Sequence, residues 1–522
     1  MTRISIDPIT RLEGHGRIDL FLDDSGAVEQ AFLVIPELRG FEKFLEGRPV
    51  EEMPQLTSRI CGVCPEAHHA AAAKAAEAVY GATIPEAAEL IRRLQYNSFI
   101  AGDHATHFFA LGGPDFIVGP TAPPERRNII GVIEKVGNEI AGRVIRMRKE
   151  AHEISTLLGG RAIHPVGMMP GGQSKPVTQE TAARLREIGA YMVDFAQETL
   201  GILDKFVIGD PHLSRMLALE AYTSRTGYLA LVNDNNQLDH YDGHVRVVNP
   251  DGSELVRYHP RDYLDHIAEH VEPWSYLKFP YFKELGWHGI SADTAGSLVR
   301  TGPLGSLNAA EGMQTPRAQA EFERFRSHFG MNPVHRTLAY HWARLIELLQ
   351  CAELVERHAN DDRLTSPDVR TIPTGTPREG VGTVEAPRGL LTHHYVTDDN
   401  GIVQKANLIV GTTYNYPAIQ LSVLTAAKEL VRPGRALTEL IMNGIEMSFR
   451  AYDPCFGCAT HALPGSGPLE LRAYDRSGAL VDGIRRAADG SLEHVSETNE
   501  RATTTRLAVA SSACASCEEA DR

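Results

Sequence analysis

The sequence predicts a mainly α-helical protein with β-hairpins at its periphery. Long windows carry apolar residues at three- and four-residue steps, the helical period, whereas the first forty residues and a stretch around 228–259 alternate and are punctuated by turn residues. In the opening segment Arg17-Ile18-Asp19-Leu20-Phe21-Leu22 alternates, turns at Asp23-Asp24-Ser25-Gly26 and resumes from Val28 to Ile35, which reads as a hairpin. The alanine-rich stretch 70–76 favours helix. From Pro85 onward the spacing of Ile91, Leu94, Ile129, Ile130, Ile133, Val136, Ile140, Val144, Met147, Ile154 and Leu157 predicts two long helices broken near Gly112-Gly113-Pro114. A third helix over 178–206 follows from Ala182, Leu185, Ile188, Met192, Phe195 and Leu200. Asn249-Pro250-Asp251-Gly252 then supplies a turn between Val245-Arg246-Val247-Val248 and Leu255-Val256-Arg257-Tyr258, and helical spacing returns over 316–329 and 337–358.

Beyond His461 the composition changes. Residues 462–522 hold one hairpin, 469–474 around Ser477-Gly478, and then Ser/Thr/Ala/Glu-rich sequence too poor in apolar residues to pack a core of its own. Motifs spread from end to end of residues 1–461 argue for one interwoven catalytic body there, with 462–522 as a C-terminal extension.

A net charge of -15 gives no reason to expect binding to a phosphate backbone or an anionic membrane, so no nucleic-acid partner is expected. No window approaches the roughly 18 uninterrupted apolar residues of a spanning helix, and Met1-Thr2-Arg3-Ile4-Ser5-Ile6-Asp7 meets a charge before any apolar run forms. Neither membrane insertion nor an export signal is expected. Seven cysteines, an odd number with four in paired motifs, fit a reducing compartment, hence a cytoplasmic location.

Two Cys-x2-Cys pairs carry the chemistry: Arg59-Ile60-Cys61-Gly62-Val63-Cys64-Pro65-Glu66-Ala67-His68 and Asp453-Pro454-Cys455-Phe456-Gly457-Cys458-Ala459-Thr460-His461. Four thiolates brought together can bind one soft or borderline metal, and the spacing by itself fits a structural tetrathiolate zinc site equally well. Size argues against zinc, because a chain of 522 residues with 43% hydrophobic content needs no metal staple. The polar groups flanking the cysteines also have no use in a closed structural site.

Both cysteine motifs resemble those of the large, catalytic subunit of nickel-iron hydrogenases, as do Arg11-Leu12-Glu13-Gly14-His15, Asp103-His104-Ala105-Thr106-His107-Phe108 and Glu385-Ala386-Pro387-Arg388-Gly389. The resemblance runs from about Ile4 to His461 and implies that family's fold, with a central bundle of long helices, and its activity, reversible heterolytic cleavage of dihydrogen into protons and electrons. It implies a nickel-iron centre held by Cys61, Cys64, Cys455 and Cys458, in which Cys64 and Cys458 bridge to an iron bearing carbon monoxide and cyanide. Arg388 and the hydroxyl of Thr412 or Thr413 would donate hydrogen bonds to the cyanides, with Asp103 and Asp453 as the carboxylates around Arg388. Glu13 matches the family's proton-relay glutamate.

His68, four residues after Cys64, would fall near the bridging sulfur on a helix that starts at Pro65. His104 and His107 share one helix face and read as buried structural histidines, and His164 would lie toward an iron-sulfur partner. The resemblance further implies a magnesium or similar cation held by Glu42, the carbonyl of Leu408 and His461. Two departures stand out: Gly411 occupies a position that is often proline, and Gly305-Ser306 replaces an Ala-Arg pair.

The stretch from Pro36 to Phe44, with Gly47-Arg48-Pro49 and Cys64-Pro65-Glu66-Ala67-His68-His69, is most similar to the cytoplasmic multimeric branch, within it to the deazaflavin-non-reducing enzymes coupled to heterodisulfide reductase. Nicotinamide-linked and deazaflavin-reducing enzymes are the runner-up reading. No cluster motif or dinucleotide fingerprint lies beyond the nickel ligands, so electrons would leave through an iron-sulfur small subunit, with the heterodisulfide reductase complex and an electron-transfer subunit beyond it. The family also implies a maturation endopeptidase that cuts after His461 and removes 462–522. The alternative is a nickel-free related scaffold subunit of a quinone-linked respiratory complex, a class that lacks the full cysteine set retained here.

Overall fold

The long helices form because their apolar residues recur on more than one face, which leaves them stable only when covered on several sides. The computed structural model describes residues 2–7, 9–35, 40–270, 272, 275, 277–456, 469–474, 480–486 and 492–494. Its helical body contains α1 (Pro65–Tyr80), α2 (Glu86–Thr106), α3 (Asn138–Gly159), α4 (Gln179–Leu203), α5 (Pro316–Phe329), α6 (Tyr340–Ala359), α7 (Gly411–Leu430) and α8 (Glu439–Arg450). Helix α6 lies at the centre, packed on α2 and α4, and an unbroken run of its residues from Tyr340 to Val355 is buried.

Where the periodicity predicts a break at Gly112-Gly113, the chain keeps winding. After α2 it continues in wider π-helical turns, His107–Gly112 and Pro114–Val118, and leaves the helix only at Gly119, whose φ is +112°. The Gly113 amide donates to the Phe108 carbonyl at 2.7 Å, and a Cβ there would stand 2.1 Å from that same oxygen. Glycine is therefore what lets the widened turn close, and it extends the helix instead of ending it. The second helix is itself divided at Gly137 (φ +91°), between Ile129–Val136 and α3.

Strands β1 (Thr2–Asp7), β2 (Arg17–Leu22) and β3 (Val28–Val34) form the expected N-terminal hairpin sheet. Strands β4 (Gly227–Val232), β5 (His244–Val248) and β6 (Glu254–Tyr258) form a second antiparallel set, which Val299–Arg300 joins in parallel. A third sheet, β7 (Glu379–Ala386), β8 (Gly389–Thr397) and β9 (Val403–Ile409), is an addition that periodicity does not reveal, and its first hairpin is buried.

The third sheet can lie inside because its first strand is unusually thin. A Cβ on Gly382 would come within 2.1 Å of the Ala71 carbonyl oxygen, and one on Gly380 within 2.3 Å of the Ala75 oxygen. Glycines on β7 and alanines on α1 thus let strand and helix backbones meet, which fixes the Arg388 turn relative to Cys64 at the start of α1.

Within 462–522 the described residues are β10 (Leu469–Tyr474), β11 (Leu480–Arg486) and β12 (Leu492–His494). The hairpin expected there is present, and β10 also pairs with β1 in antiparallel register from Arg3↔Tyr474 to Asp7↔Glu470. The extension therefore completes a six-stranded sheet with the N-terminus, in the order β12-β11-β10-β1-β2-β3.

Candidate metal centre

Cys61 ends a short 3-10 turn, Ser58–Ile60, and Cys64 stands at the N-terminus of α1, where Pro65 pre-sets the first helical φ. The amides of Cys64 and Val63 point at the Cys61 sulfur, at 3.0 and 3.4 Å, an arrangement that favours thiolate. Cys455 arrives from 394 residues away to place its sulfur 3.4 Å from that of Cys61, and the sulfurs of Cys61, Cys64 and Cys455 all lie within 4.8 Å of one another. All three are buried. Cys458 and His461 lie outside the described residues.

Sulfurs so close cannot all ionise unaided. For Cys64 the largest influence, its hydrogen bond with Cys455, favours thiolate, but the bond with Cys61, burial and the neighbouring charge together push the thiol well above its ordinary range. Cys455 is raised in the same way, its bond to Cys61 opposing the bond to Cys64 and burial. A soft cation among the sulfurs would remove this conflict by stabilising every thiolate at once, so the donor set fits a thiolate-bound metal.

Two groups reach the cluster that a closed structural site would not need. Glu13 Oε2 accepts from the Cys455 thiol at 2.9 Å, and its backbone is locked to the same turn by Glu13 N–Pro454 O (3.3 Å) and Phe456 N–Glu13 O (2.7 Å). Arg388 donates through Nε to the Asp453 carbonyl at 2.7 Å and forms ion pairs with Asp453 Oδ2 at 2.8 Å and Asp103 Oδ2 at 3.3 Å. Its Nη1, buried with the rest of the guanidinium, is the atom that pairs with Asp103. Burial pushes the Asp453 carboxyl up to about 7 against the pull of Arg388, and Asp103 adds to the rise.

The Arg388 turn is held by neutral groups. Asn415 Nδ2 donates to the Arg388 carbonyl at 2.9 Å while Asn415 Oδ1 accepts from the Thr301 amide at 2.9 Å. The Thr301 hydroxyl donates to Glu385 Oε1 and accepts from the Leu390 amide. A Cβ on Gly302 would stand 2.9 Å from the Arg388 carbonyl oxygen, and one on Gly411 2.8 Å from the Gly389 oxygen. Gly411 thus fills its position for a local reason: the turn leaves no room for a larger residue.

The other residues named from the sequence have their own partners. Thr412 Oγ1 accepts from the Cys455 amide at 3.1 Å, which puts its hydroxyl beside the cluster. Glu42 Oε1 accepts from the Leu408 amide at 3.0 Å, which sets these two residues side by side. His68 Nδ1 lies 3.0 Å from His393 Nε2, and His393 in turn 2.7 Å from the Tyr395 hydroxyl. His104 and His107 are buried, the first against Glu347 at 2.8 Å and the second against the Arg450 carbonyl at 3.1 Å. His164 meets the Ser58 carbonyl at 2.9 Å, directly behind the Cys61 turn.

Sequence reasoning missed Asn415, Thr301, Asp115 and Arg450. Asp115 was hidden in a Gly-Gly-Pro run that reads as a helix break, and Arg450 looks like any charge closing a helix. Only the spacing of Asn415, four residues after Gly411 on one helix face, pointed toward the Arg388 turn.

A family model described as nickel-dependent hydrogenase matches residues 39–122 and 232–461, and another described as HoxL-like matches residues 3–38. The chain is 43% identical over 485 residues to an iron-sulfur subunit of the F420-non-reducing hydrogenase of Archaeoglobus profundus, covering 93% of this chain and 100% of that relative. It is 37% identical over 500 residues to the NAD-reducing hydrogenase HoxS subunit beta of Cupriavidus necator, covering 92% and 99%. A solved NAD+-reducing NiFe hydrogenase in its H2-reduced state superposes with a TM-score of 0.79 at 38% identity, covering 88% of this chain and 99% of that one.

Proposed function

Because this chain belongs to the nickel-dependent hydrogenase family as a large subunit whose substrate is dihydrogen, we propose that Cys61, Cys64, Cys455 and Cys458 hold its nickel-iron centre, with Glu13 and Arg388 as the working side chains. The convergence of three buried thiols on the Glu13 carboxylate and the Arg388 guanidinium carries the reading. The centre supplies the Lewis-acidic metals that polarise dihydrogen.

The chain's own groups do the rest. Glu13 takes the proton through its contact with the Cys455 sulfur and, being half-buried, passes it toward solvent. Arg388 keeps a positive charge near the cluster, and Asp103 and Asp453 hold its plane. Guanidinium donors would suit the cyanide ligands of an iron, and the Thr412 hydroxyl, whose oxygen accepts from the Cys455 amide, would assist. Glu42 and the Leu408 carbonyl, with His461, are the ligands we assign to a magnesium or similar cation.

An iron-sulfur small subunit takes the electrons, since the relatives are subunits of multi-subunit hydrogenases. Higher identity to the F420-non-reducing relative than to the NAD-reducing one favours delivery to a heterodisulfide reductase complex through an electron-transfer subunit. Among the described residues no helix is long and apolar enough to cross a membrane, and the paired cysteines favour the cytoplasm. With the thiol cluster in place and hydrogenases as relatives, no observation favours the nickel-free scaffold.

A maturation endopeptidase is assigned to cut between His461 and Ala462. The family match that ends at residue 461 supports this position. Nickel and iron analysis of the purified complex, together with dihydrogen-dependent dye reduction, tests the main reading: stoichiometric nickel with turnover is expected, and active protein without nickel would overturn it. Intact mass decides the cut, because a nickel-loaded, active chain still ending at Arg522 would refute it.

A further inference from the structure

The segment that presents Glu13 is fastened by a buried ionic cluster that includes none of the residues assigned to the reaction. Asp115, delivered inward by the π-helical turns after α2, binds Arg11 Nη2 through Oδ1 at 2.5 Å and Arg450 Nη1 through Oδ2 at 2.6 Å. Arg11 lies two residues before Glu13, and Arg450 five before Cys455. One carboxylate therefore ties together the two chain segments that must meet at the metal, more than four hundred residues apart in sequence.

Other contacts show which segment depends on it more. The Cys455 side has independent anchors: the Arg450 carbonyl accepts from His107 Nε2 at 3.1 Å, and the Ala451 carbonyl accepts from Arg344 at 3.0 Å. The Glu13 side is paired with that turn through the backbone of Glu13 with Pro454 and Phe456, and is held upstream by Thr10, whose amide and hydroxyl both donate to Glu446 at 2.9 Å, and by Arg11, which also reaches the Leu111 carbonyl and Asn443. Arg11 itself has a left-handed backbone, φ +56°, which its side-chain contacts must keep in place. Removing the Asp115 charge would leave Arg11 and Arg450 facing each other across a neutral group. The strap would lose its side-chain clamp while keeping the Thr10–Glu446 contacts and the two Glu13 backbone hydrogen bonds, so the Glu13 carboxylate would sit less firmly on the Cys455 sulfur.

We propose that Asp115 is a positioning residue for the dihydrogen reaction, clamping the Glu13 strap onto the Cys455 turn through Arg11 and Arg450. The proposal rests on the reading of Glu13 as the proton carrier, because the effect on catalysis passes through that carboxylate.

The test compares Asp115→Asn with Glu13→Gln in the complete enzyme complex, measuring nickel content, deuterium–proton exchange with dihydrogen per nickel, and the solvent isotope effect on turnover. Asp115→Asn is expected to keep its nickel, lose roughly tenfold or more of its exchange and show a larger solvent isotope effect, because proton transfer over a lengthened contact becomes limiting. A merely structural role would lower nickel and exchange together and leave the ratio and the isotope effect unchanged. If Glu13→Gln exchanges normally, the Glu13 reading fails and this proposal falls with it. If Glu13→Gln is impaired while Asp115→Asn exchanges normally per nickel, the proposal alone is overturned. Should Asp115→Asn not fold, Arg11→Lys serves in its place: it keeps the charge but cannot reach Asp115, Asn443 and Leu111 together, and normal exchange per nickel in that variant would equally overturn the proposal.

Discussion

Arg388 and Glu13 approach the same sulfurs from regions built on opposite principles. The Arg388 turn is held by an amide, a hydroxyl, glycines and Glu385, a carboxyl that burial first of all pushes up to about 8 and so keeps neutral at pH 7. The Glu13 strap is held by charges: Arg11, Arg127 and Arg450 interleave with Asp115, Glu439 and Glu446. The contrast follows from what each already carries. Beside Arg388 stand Asp103, Asp453 and the thiols, so a further carboxylate would be an unpaired buried charge. Around the strap cations and anions balance, and each removes the other's burial cost. One region therefore answers to shape and the other to charge.

Breaking what both regions share has the largest expected effect. Cys64→Ser removes a thiolate at the point both side chains address, and nickel content and dihydrogen oxidation should fall together to background; a variant retaining full nickel would contradict the assigned ligand set. Glu13→Gln should keep nickel while isotope exchange falls about 10²–10⁴-fold, since the amide fits the same space but carries no proton. Gly411→Ala attacks the shape-dependent side: its methyl would force the Arg388 peptide aside, at about 1–3 kcal/mol of stability, and turnover should drop with little dependence on ionic strength. An equal pH dependence of stability in the Gly411 and Asp115 variants would dissolve the distinction between the two regions.

Sequence made the chemistry legible and left the support obscure. The cysteines, Glu13 and Arg388 sit in short contiguous motifs, so the resemblance of those motifs to a family's was enough to name them as candidates. The helices around α4, α5 and α6 were equally readable, because each keeps one period for three turns or more. What failed was anything assembled from distant pieces. Gly112-Gly113-Pro114 carries every mark of a helix end, yet a hydrogen bond to Phe108 turns those residues into a wider helix. Asp115 then reaches arginines from both ends of the chain, a meeting no local pattern encodes. The buried hairpin at Arg388 was hidden for a related reason: its glycines read as turn or bulge signals, whereas they mark a strand pressed against an alanine helix.

The smallest effect sharpens the comparison most, because the two carboxyls should give opposite pH responses in stability. Asp115, despite burial that would raise it, is held down to about 2 by Arg11 and Arg450, below its ordinary 3.8. Its contribution, about 2 kcal/mol, is present above pH 4 and is lost as pH falls toward 2, where the folded form must also take up the proton. Glu385 runs the other way: with a folded value near 8 against an ordinary 4.5, its contribution is whole below pH 4.5 and is lost progressively as pH rises through 8. Denaturant unfolding across pH should therefore show Asp115→Asn weaker than the parent at pH 7 and approaching it in acid. Glu385→Gln, which keeps an uncharged group of the same shape and an acceptor for the Leu231 amide, with the Thr301 hydroxyl turned from donor to acceptor, should match the parent near pH 5 and gain on it toward pH 9. If the Glu385→Gln difference is flat across that range, the carboxyl is charged in the fold, and the Arg388 turn depends on charge as much as the Glu13 strap does.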